Sequence, residues 1–483
     1  MEKTNQRLPR SQPEAQGIRS EAIIAFLNGI QERQLELHSM MLLRHGVVVS
    51  EGWWKPYASE VPHMLFSLSK SFTSSAIGFA AAEGKLSLDD AVVSFFPSEV
   101  PNELEPNLSA MRIRHLLMMG TGHDQDTTNG MVESEDGNWV QAFLQAPVEH
   151  EPGTHFVYNS GATYMLSAIL QKVTGQSLLS YLQPRLLEPL GIDGATWESC
   201  PRGIHVGGWG LSITTEDIAK FGQLYLQKGE WNGQRILQEE WVAEATSKQI
   251  ANGDGGASDW AQGYGYQFWR CRHGVYRGDG AFGQYCVVMP EQDAVLVMTG
   301  GTNELQGVLD MVWEHLLPAM ESSPLSLDHD VQAGLAAKLQ SLTLQPPQLQ
   351  QESSLEANIS GETYTLEENK HQWKSIAVSF EDHHAAVVVV KAEENFTLIL
   401  GRSSWNEGST RLILDGDKRV FASFTWEQQD TLLITIRFTE TPFAFTGTLQ
   451  FEEGKLVLSL ISNVLPDKTN VRGQRVGLEQ RKE

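Results

Sequence analysis

The sequence predicts an α+β protein that carries an additional all-β domain toward its C-terminus. Strand-like segments near residues 40–54 and 284–299 enclose a long region of helical patterns, which is typical of an α+β architecture. After residue 320 the composition changes, and beyond residue 354 alternating apolar and polar residues replace the helical spacing. A chain of 483 residues also exceeds what one hydrophobic core usually supports, so we expect more than one domain.

The first elements along the chain are a helix, a hairpin and a second helix. Residues 20–33 place apolar side chains at helical spacing. Two β-rich runs within residues 40–54 flank His45-Gly46, a pair that suits a tight hairpin turn. A longer helix is predicted over about residues 67–83, and Gly84 then supplies the left-handed residue that commonly follows a helix.

Two strands of one sheet are predicted near the end of the first domain. Residues 284–289 and 294–299 are rich in Val and Met, and the turn at 290–293 that joins them contains Pro and Asp. A helix is expected to follow over roughly residues 304–318. These elements complete an α+β domain that we assign to residues 1–325.

The C-terminal part of the sequence divides into a linker and a β-rich accessory domain. Residues 345–354 consist of Pro, Gln, Ser and Glu with few apolar groups, and we predict a linker over residues 326–354. In residues 434–439 apolar and polar side chains alternate strictly, which is the period of a half-buried strand. We therefore predict a small β-barrel or sandwich over residues 355–483.

Composition and charge narrow the partners that the chain could have. The formal net charge of −24 would repel nucleic acid and anionic membrane surfaces, so we expect neither as a partner. No run of ~20 apolar residues occurs, and residues 1–6 show no basic segment leading into an apolar one. The three cysteines form no metal-binding or disulfide pattern. We expect a cytoplasmic protein with no metal and no organic cofactor, and its protein partners are left open.

The strongest chemical motif is Ser67-Leu68-Ser69-Lys70, at the start of an apolar helix. Ser67 would lie near the positive end of the helix dipole, with Lys70 one turn further along the same face. Residues 71–82 carry no charge, so we expect a buried helix in which partial desolvation favours the neutral, basic form of Lys70. For the tetrapeptide alone, a Ser cap followed by a solvated Lys is the alternative.

A second motif is Tyr158-Asn159-Ser160, which follows a turn-forming segment at residues 151–156. A Tyr hydroxyl beside a Lys can act as a general base toward a Ser hydroxyl. Ser160 could hydrogen-bond the Lys or a substrate carbonyl. The alternative for this segment alone is a buried Tyr with a hydrogen-bonded hydroxyl.

The third motif, RGDGAFGQ at residues 277–284, leads into the strand over 284–289. Its glycines would let a substrate approach the strand backbone closely. The N–H groups there, with that of Ser67, could form an oxyanion hole. Taken alone, the segment is better explained as a tight turn into the strand.

Together these segments resemble the β-lactamase-related serine hydrolases, which are similar to class C β-lactamases, DD-peptidases, family VIII esterases and 6-aminohexanoate-dimer hydrolases. In that family an S-x-x-K helix, a Y-x-[NS] loop and a K-T-G-like strand converge on one cleft. Ser67 and Lys70 match the first motif, and Tyr158 and Ser160 match the second, with Ser160 where class C enzymes usually carry Asn. The resemblance covers about residues 12–318, and three further segments support it, at 114–122, 207–211 and 264–269.

The resemblance implies a penicillin-binding-protein-like domain, with an antiparallel sheet flanked by helices and a helical subdomain. It implies a serine hydrolase that forms an acyl-enzyme with an ester or amide of a small molecule. Ser67 would be the nucleophile, and Lys70 and Tyr158 would move its proton. The residues expected to bind substrate are Ser160, Asp279 and Gly280. The alternatives are a non-catalytic scaffold or ligand-binding protein of the same fold, and a β-lactamase or DD-peptidase proper.

This sequence departs from the family at the third motif. The Lys or His of relatives is missing, and either Arg277 or Gly278 takes its place, depending on the register. Asp279 then falls inside the motif, which argues against recognition of a substrate carboxylate. Simple esters or neutral amides are therefore expected to be better substrates than β-lactams.

One further cluster, His123, Asp124 and Asp126, could suggest a metal site. A loop of His and Asp with no additional spaced pair of ligands is more often a polar loop. We therefore predict no metal ligands from the sequence.

Overall fold

The computed structural model describes residues 7–350, 352–466 and 468–476. These residues form two compact units. The first comprises the chain up to Gly52 together with Pro62–Ser341, and the second comprises Trp53–Val61 together with the chain from Leu342 onward. The N-terminal segment that we considered for a targeting signal, residues 1–6, lies outside the described residues.

The first unit is built on an antiparallel sheet. The strands of the whole unit, including short strands outside this sheet, are in chain order β1 (Leu37–Arg44), β2 (Val47–Trp53), β3 (His63–Met64), β4 (Thr196–Trp197), β5 (Leu211–Ile213), β6 (Glu230–Trp231), β7 (Gln234–Arg235), β8 (Trp269–Arg270), β9 (Tyr276–Gly280), β10 (Gln284–Met289) and β11 (Ala294–Gly300). Within the described residues the main sheet has six strands in the order β2-β1-β11-β10-β9-β8. The first and last parts of this unit therefore meet in one sheet.

Helices occupy the sequence between β3 and β8 and also flank the sheet. The helices of the first unit with seven or more residues are Ser20–Glu32, Ser69–Ala82, Trp139–Gln145, Ser160–Thr174, Thr215–Leu226, Glu239–Thr246, Leu305–Met311 and His329–Gln340. The shorter α-helices are Pro106–Ala110, Ile113–Leu117, Thr128–Val132, Leu178–Leu182 and Glu188–Leu190. No helix in the described part of the chain is both long and apolar enough to cross a bilayer.

The hairpin and the late strands confirm the sequence predictions. The turn between β1 and β2 has His45 at φ +49° and Gly46 at φ +76°, a conformation that twists two strands into a tight hairpin. Strands β10 and β11 pair antiparallel, as predicted for 284–289 and 294–299. The helix expected over 304–318 is regular only over Leu305–Met311 and continues as a π-turn over Val312–Leu316.

The central helix, Ser69–Ala82, is buried on nearly all sides. It begins from a 3₁₀ turn at Phe66–Leu68 and is followed by Gly84 at φ +66°, as the sequence predicted. Most of its hydrophobic side chains are buried without forming a single stripe, and apart from Lys70 its polar side chains are short Ser and Thr hydroxyls. Because a buried hydroxyl needs a partner, these side chains bind backbone carbonyls of neighbouring loops. Ser71 donates to Gln267 O and Thr73 to Gly207 O, both at 2.8 Å.

The second unit is a β-barrel. Its strands are β12 (Thr363–Leu366), β13 (Trp373–Phe380), β14 (His384–Lys391), β15 (Glu394–Arg402), β16 (Asn406–Thr410), β17 (Lys418–Gln428), β18 (Thr431–Phe438), β19 (Ala444–Glu452), β20 (Lys455–Ser462) and β21 (Lys468–Arg475). Among the described residues they run in the order β15-β14-β13-β12-β21-β20-β19-β18-β17-β16, and β15 also pairs with β17. This last pairing is parallel and closes nine of the strands into a ring, with β16 outside it. The choice between barrel and sandwich that the sequence left open is thus decided for a closed barrel.

Side chains fill the interior of the barrel. Alternate residues of each strand point inward, and the largest of them is the fully buried Trp426. Before the first barrel strand, the carboxylate of Glu356 accepts hydrogen bonds from Trp426 Nε1 at 2.7 Å and from Arg402 Nη1 at 2.7 Å. The segment Trp53–Val61 pairs with the start of the C-terminal part of this same unit through backbone hydrogen bonds, in which Lys55 N donates to Leu342 O and Leu344 N donates to Lys55 O.

We predict that residues 1–345 fold without the barrel. The sheet and helices of the first unit are complete by Ser341, and a cut at 345 keeps the backbone pairing of Lys55 with Leu342 and Leu344. Trp54 and Tyr57 are buried in the full chain and are grouped with the second unit, so the truncated protein should melt at a lower temperature.

The measurement is a thermal unfolding curve of the truncated protein, followed by near-UV circular dichroism beside the full chain. A cooperative transition is expected. An insoluble product, or one that lacks near-UV signal at low temperature, would contradict an independent first unit.

Candidate active site

Ser67 lies in a tight turn that leads into the central helix. The residue before it, Phe66, adopts φ +49°, which is unusual for a residue with a side chain. The 3₁₀ turn Phe66–Leu68 then passes directly into the α-helix that starts at Ser69. Ser67 Oγ accepts a hydrogen bond from Lys70 Nζ at 2.8 Å. The S-x-x-K spacing thus places the two functional groups in contact, one helical turn apart.

Lys70 is almost completely buried, with 1% of its surface exposed. Its Nζ donates to Ser67 Oγ at 2.8 Å, to Ser160 Oγ at 3.0 Å and to the carbonyl oxygen of Gly208 at 2.7 Å. An ammonium has three N–H donors, so these acceptors match its capacity. It also lies 4.8 Å from the centre of the Tyr158 ring. This amine is the point at which the three segments of the site meet.

These partners also fix where the lone pair of a neutral Lys70 would point. A neutral amine has two N–H donors and one acceptor pair, whereas a carbonyl oxygen can only accept. One N–H therefore stays on Gly208, and the lone pair has to face a hydroxyl, that of Ser67 or Ser160. Because Ser67 is the closer hydroxyl, the arrangement suits removal of its proton by Lys70.

Burial lowers the pKa of Lys70 to about 7, because an ammonium loses its hydration there. The negative charges of Asp126 and Asp279 oppose this effect and raise the pKa. Near neutral pH a large fraction of Lys70 is then unprotonated and able to act as a base. The sequence predicted partial desolvation, and the structure shows that it is complete.

Tyr158 lies beside Lys70 within an aromatic wall. Its ring stacks on Trp269 with centroids 5.1 Å apart and meets Tyr264 edge-on at 6.1 Å. Burial raises the pKa of Tyr158 far above its ordinary value, and the charge of Asp279 raises it further. Hydrogen bonding with Ser67 opposes this rise. The phenol therefore stays protonated at neutral pH and can donate a hydrogen bond.

Ser160 begins the helix Ser160–Thr174 and faces Lys70 through its hydroxyl. Its backbone N–H donates to Asp126 Oδ1 at 3.1 Å, and Asp126 Oδ1 also accepts from the hydroxyl of Thr128 at 2.6 Å. The side chain of Asp126 thereby fixes the loop that starts this helix. In this structure the partner of Ser160 Oγ is the amine of Lys70.

Gly280, at the end of β9, lies against the turn that holds Ser67. A Cβ atom at this position would come within 2.1 Å of Leu65 O, so only glycine fits. The adjoining Gly278 is similarly close to the central helix, since its Cβ would lie 2.6 Å from Ser71 Oγ. The third motif therefore brings strand backbone up to the turn that holds Ser67, where an oxyanion hole would be needed.

Arg277 and Asp279 point to the same side of β9 and bind each other. Arg277 Nε donates to Asp279 Oδ2 at 2.8 Å, and both side chains are buried. Burial raises the pKa of Asp279, whereas the charges of Arg277 and Lys70 lower it. The third motif thus presents a carboxylate that is already paired with the guanidinium of Arg277.

The Arg277 guanidinium is held from several directions besides Asp279. It lies over the Trp260 ring, 4.3 Å from its centre, and 5.6 Å from that of Trp269. Its Nη1 donates to Asp259 O at 2.8 Å and to Cys271 Sγ at 3.0 Å. The positive charge of Arg277 is therefore already bound by groups of the protein itself.

Sequence reasoning overlooked the roles of three residues at this site. Gly208 supplies the carbonyl that holds Lys70, Asp126 fixes Ser160, and Trp269 stacks on Tyr158. Gly208 and Trp269 lie in segments that supported the family resemblance, which was the available signal. Asp126 was considered only as a metal ligand. His123 lies apart from it, buried and bonded to Thr121 at 2.9 Å.

The chain is similar to known proteins of one family. The family model named Beta-lactamase matches residues 28–310, more than half of the chain. A 6-aminohexanoate-dimer hydrolase of Paenarthrobacter ureafaciens is 24% identical over 302 residues, which cover 58% of this chain and 77% of that protein.

Two solved structures show the likeness of the fold. The octameric penicillin-binding protein homologue from Pyrococcus abyssi aligns with a TM-score of 0.50 and 17% identity, over 94% of this chain and 99% of that one. EstCE1, a hydrolase with promiscuous acyltransferase activity, aligns with a TM-score of 0.50 and 18% identity, over 61% of this chain and 99% of its own. The fold prediction for the first unit is thereby confirmed.

We predict that Lys70 titrates near pH 7 and that Asp126→Asn lowers this midpoint. Burial sets the low pKa, and the substitution removes a negative charge that raises it while keeping an oxygen for Ser160. The measurement is the ¹³Cε chemical shift of lysine-labelled protein against pH, with Lys70→Arg to assign the signal.

Asp382→Asn, a change of an exposed carboxylate in the barrel unit, serves as the control and should leave the midpoint unchanged. A Lys70 signal that titrates only near 10, the ordinary range of lysine, would contradict the prediction.

Proposed function

This chain belongs to the beta-lactamase family, and we propose that it is a serine hydrolase that cleaves an ester or amide bond of a small substrate through an acyl-enzyme on Ser67. One observation carries the proposal. Ser67 Oγ lies 2.8 Å from Lys70 Nζ, an amine whose burial lowers its pKa to about 7. A serine hydroxyl is a weak nucleophile until an adjacent base takes its proton, and such an amine is that base.

The first step transfers a proton and forms the bond between Ser67 Oγ and the substrate carbon, which gives a tetrahedral intermediate. Lys70 Nζ accepts the Ser67 hydroxyl proton while Ser67 Oγ bonds to the substrate carbonyl carbon. The carbonyl oxygen becomes an oxyanion, and we assign its stabilisation to the N–H of Ser67 and an N–H within Gly280–Gly283. The close approach of Gly280 to the nucleophile turn supports this assignment.

The second step releases the leaving group, and here we assign the role of donor to Tyr158. The raised pKa of Tyr158 keeps its proton on at neutral pH. As the C–O or C–N bond breaks, the leaving group takes the Tyr158 proton, and Lys70 returns its extra proton to Tyr158. The sequence suggested Tyr158 coupled to Lys70 as the base, and the two pKa directions lead us to place the first acceptance on Lys70.

Hydrolysis of the acyl-enzyme would reuse the same groups in reverse. A water molecule attacks the acyl carbon as Lys70 accepts one of its protons, and the oxyanion again forms against the backbone N–H groups. Collapse of the intermediate breaks the bond to Ser67 Oγ, which regains a proton from Lys70. Atoms and charges balance with residues of the chain and one water.

The rival interpretation is a non-catalytic scaffold or ligand-binding protein of the same fold. A scaffold would have no need to keep an amine buried, and burial of a charged group is costly unless it is compensated. Here the cost accompanies an aligned Ser67, Lys70 and Ser160. This retention favours catalysis.

Esters and neutral amides are the substrate class that the third motif favours. β-Lactams and peptidoglycan stems carry a carboxylate near the scissile bond, and such an anion needs a cation in the cleft. On β9 the Arg277 charge is paired with Asp279 and covered by Trp260. An added carboxylate at about 4 Å from Asp279 would meet repulsion of roughly 1–4 kcal/mol, for effective dielectrics of 80 to 20.

We also propose a reducing compartment, the cytoplasm, as the place of action. The cysteines among the described residues, Cys200, Cys271 and Cys286, are free and buried. Free thiols without a disulfide partner suit a compartment in which thiols stay reduced.

We predict that Ser67→Ala abolishes covalent labelling by a fluorophosphonate probe and hydrolysis of p-nitrophenyl butyrate. The substitution removes the nucleophile and leaves the backbone of the turn intact. The measurement is intact-protein mass after labelling, with hydrolysis rates and a melting curve recorded on the same samples.

Ser71→Ala is the matched control, since Ser71 lies on the same helix and binds Gln267 O rather than Lys70. It should still be labelled. A scaffold would show no labelling in the unaltered protein, and labelling that persists in Ser67→Ala would assign the nucleophile elsewhere.

We predict a higher kcat/KM for p-nitrophenyl butyrate than for nitrocefin at one pH and ionic strength. Asp279→Asn should narrow the gap, because it removes the repelling charge and leaves the Arg277 guanidinium without its counter-ion. Asp136→Asn, which alters the surface ion pair with Arg202, is the control and should not change the ratio. Faster turnover of nitrocefin by the unaltered protein would overturn this substrate assignment.

A further inference from the structure

Three side chains from two separate segments, those of Asp124, His150 and His155, lie close together. Each offers one ligand atom, and all three atoms lie within 4.8 Å of one another. His150 Nε2 and Asp124 Oδ1 are 2.5 Å apart, and the rings of His150 and His155 lie with centroids 4.1 Å apart. We propose that this cluster, the Asp-His-His cluster, binds a divalent transition-metal ion, with Zn²⁺ as the best match.

The backbone holds the two segments of the cluster in register. His150 N donates to Gly122 O at 2.9 Å, and Gly153 N donates to Gly120 O at 2.7 Å. Gly122 has φ +92°, and a Cβ there would come within 2.3 Å of His150 O. The close approach of the two segments therefore depends on glycine at this position. Ligands fixed by such pairing lose little freedom when they bind an ion.

The charge around the cluster favours a cation. Residues 115–171 contain seven Asp or Glu residues and no Lys or Arg. Glu149 precedes His150, and its carboxylate accepts a hydrogen bond from Asp124 N at 3.1 Å. Side chains of Asp124, Asp126 and Glu149 also line an adjoining cavity of about 570 Å³. A divalent cation would reduce the mutual repulsion of these carboxylates.

The donor set selects the kind of metal. Two imidazoles and one carboxylate suit Zn²⁺ and related transition ions, whereas Mg²⁺ and Ca²⁺ prefer oxygen ligands alone. Three protein ligands at the surface leave a fourth position for water. His150 and Asp124 are partly exposed, with 39% and 56% of their side-chain surfaces accessible, so an ion can reach them.

Such an ion would connect the two segments that position the active site. Asp126, two residues beyond Asp124, binds the N–H of Ser160. His155 lies three residues before Tyr158. A bound metal would therefore fix the two loops that lead to Ser160, whose hydroxyl binds the amine of Lys70. This effect does not depend on whether the chain is a hydrolase.

Sequence reasoning did not identify this cluster. The segment His123-Asp124-Gln125-Asp126 lacked a nearby pair of ligands, and so we interpreted it as a polar loop. The fold supplies that pair from His150 and His155, and it turns His123 away into the core, where it bonds Thr121.

The test is titration of the full-length protein, stripped with chelator, by Zn²⁺ alone in an isothermal calorimeter. One binding site is expected, and His155→Ala and Asp124→Asn should each weaken it at least about 10-fold, the scale seen when metal-site residues are lost. Co²⁺ should give a visible d–d spectrum that disappears in His155→Ala. Zn²⁺ should raise the melting temperature of the unaltered protein by an amount that grows with its concentration.

His384→Ala is the matched control, because His384 is an exposed histidine 3.2 Å from a carboxylate, that of Glu381, in the barrel unit. It should bind Zn²⁺ as the unaltered protein does. Melting curves recorded in chelator show whether each cluster variant folds. If one of the two variants does not fold, the Zn²⁺ affinity of the other is the test. Equal affinity in the unaltered protein and a folded cluster variant, or a loss of binding in His384→Ala, would overturn the proposal.

Discussion

The burial of the Lys70 amine is the constraint on which the site depends. An ammonium removed from water needs a partner for each of its three N–H groups, and Lys70 finds them on Ser67, Ser160 and Gly208. Each acceptor belongs to a different segment of the chain: the turn before the central helix, the start of a second helix and a glycine-rich loop. Holding one amine therefore fixes three segments at once.

The central helix extends the same principle along its length. Because it is surrounded on nearly all sides, its hydroxyl groups bind the backbone of loops that would otherwise have unsatisfied carbonyls. Ser74 donates to Tyr266 O at 2.7 Å, and Ser69 Oγ accepts from Leu211 N at 3.1 Å. The small side chains that look like poor helix formers are thus the connections between the core and the loops that line the site.

The site also requires that backbone segments approach each other closely, and glycine residues make this possible. At Gly208 a Cβ would lie 3.0 Å from Ser160 O, and at Gly280 it would lie 2.1 Å from Leu65 O. Larger residues there would push Lys70 away from its acceptor carbonyl or the strand away from the turn that holds Ser67. Arg277 and Asp279 pair with each other on one face of this same strand.

The sequence by itself determined the local features of this protein. These features depend on residues that are neighbours in the chain, so local sequence patterns predict them. They are the hairpin turn at His45-Gly46, the uncharged helix after Ser67, the strands β10 and β11, and the β pattern beyond residue 354. The resemblance to a family supplied Ser67, Lys70, Tyr158 and Ser160 as members of one site. Only the tertiary structure decided contacts between distant segments. It brought the Gly208 carbonyl to Lys70, closed the barrel through β15 and β17, and joined His150 and His155 to Asp124. Such contacts depend on how whole helices and strands pack against each other. A local sequence pattern does not specify which distant residue will be in contact with a given side chain.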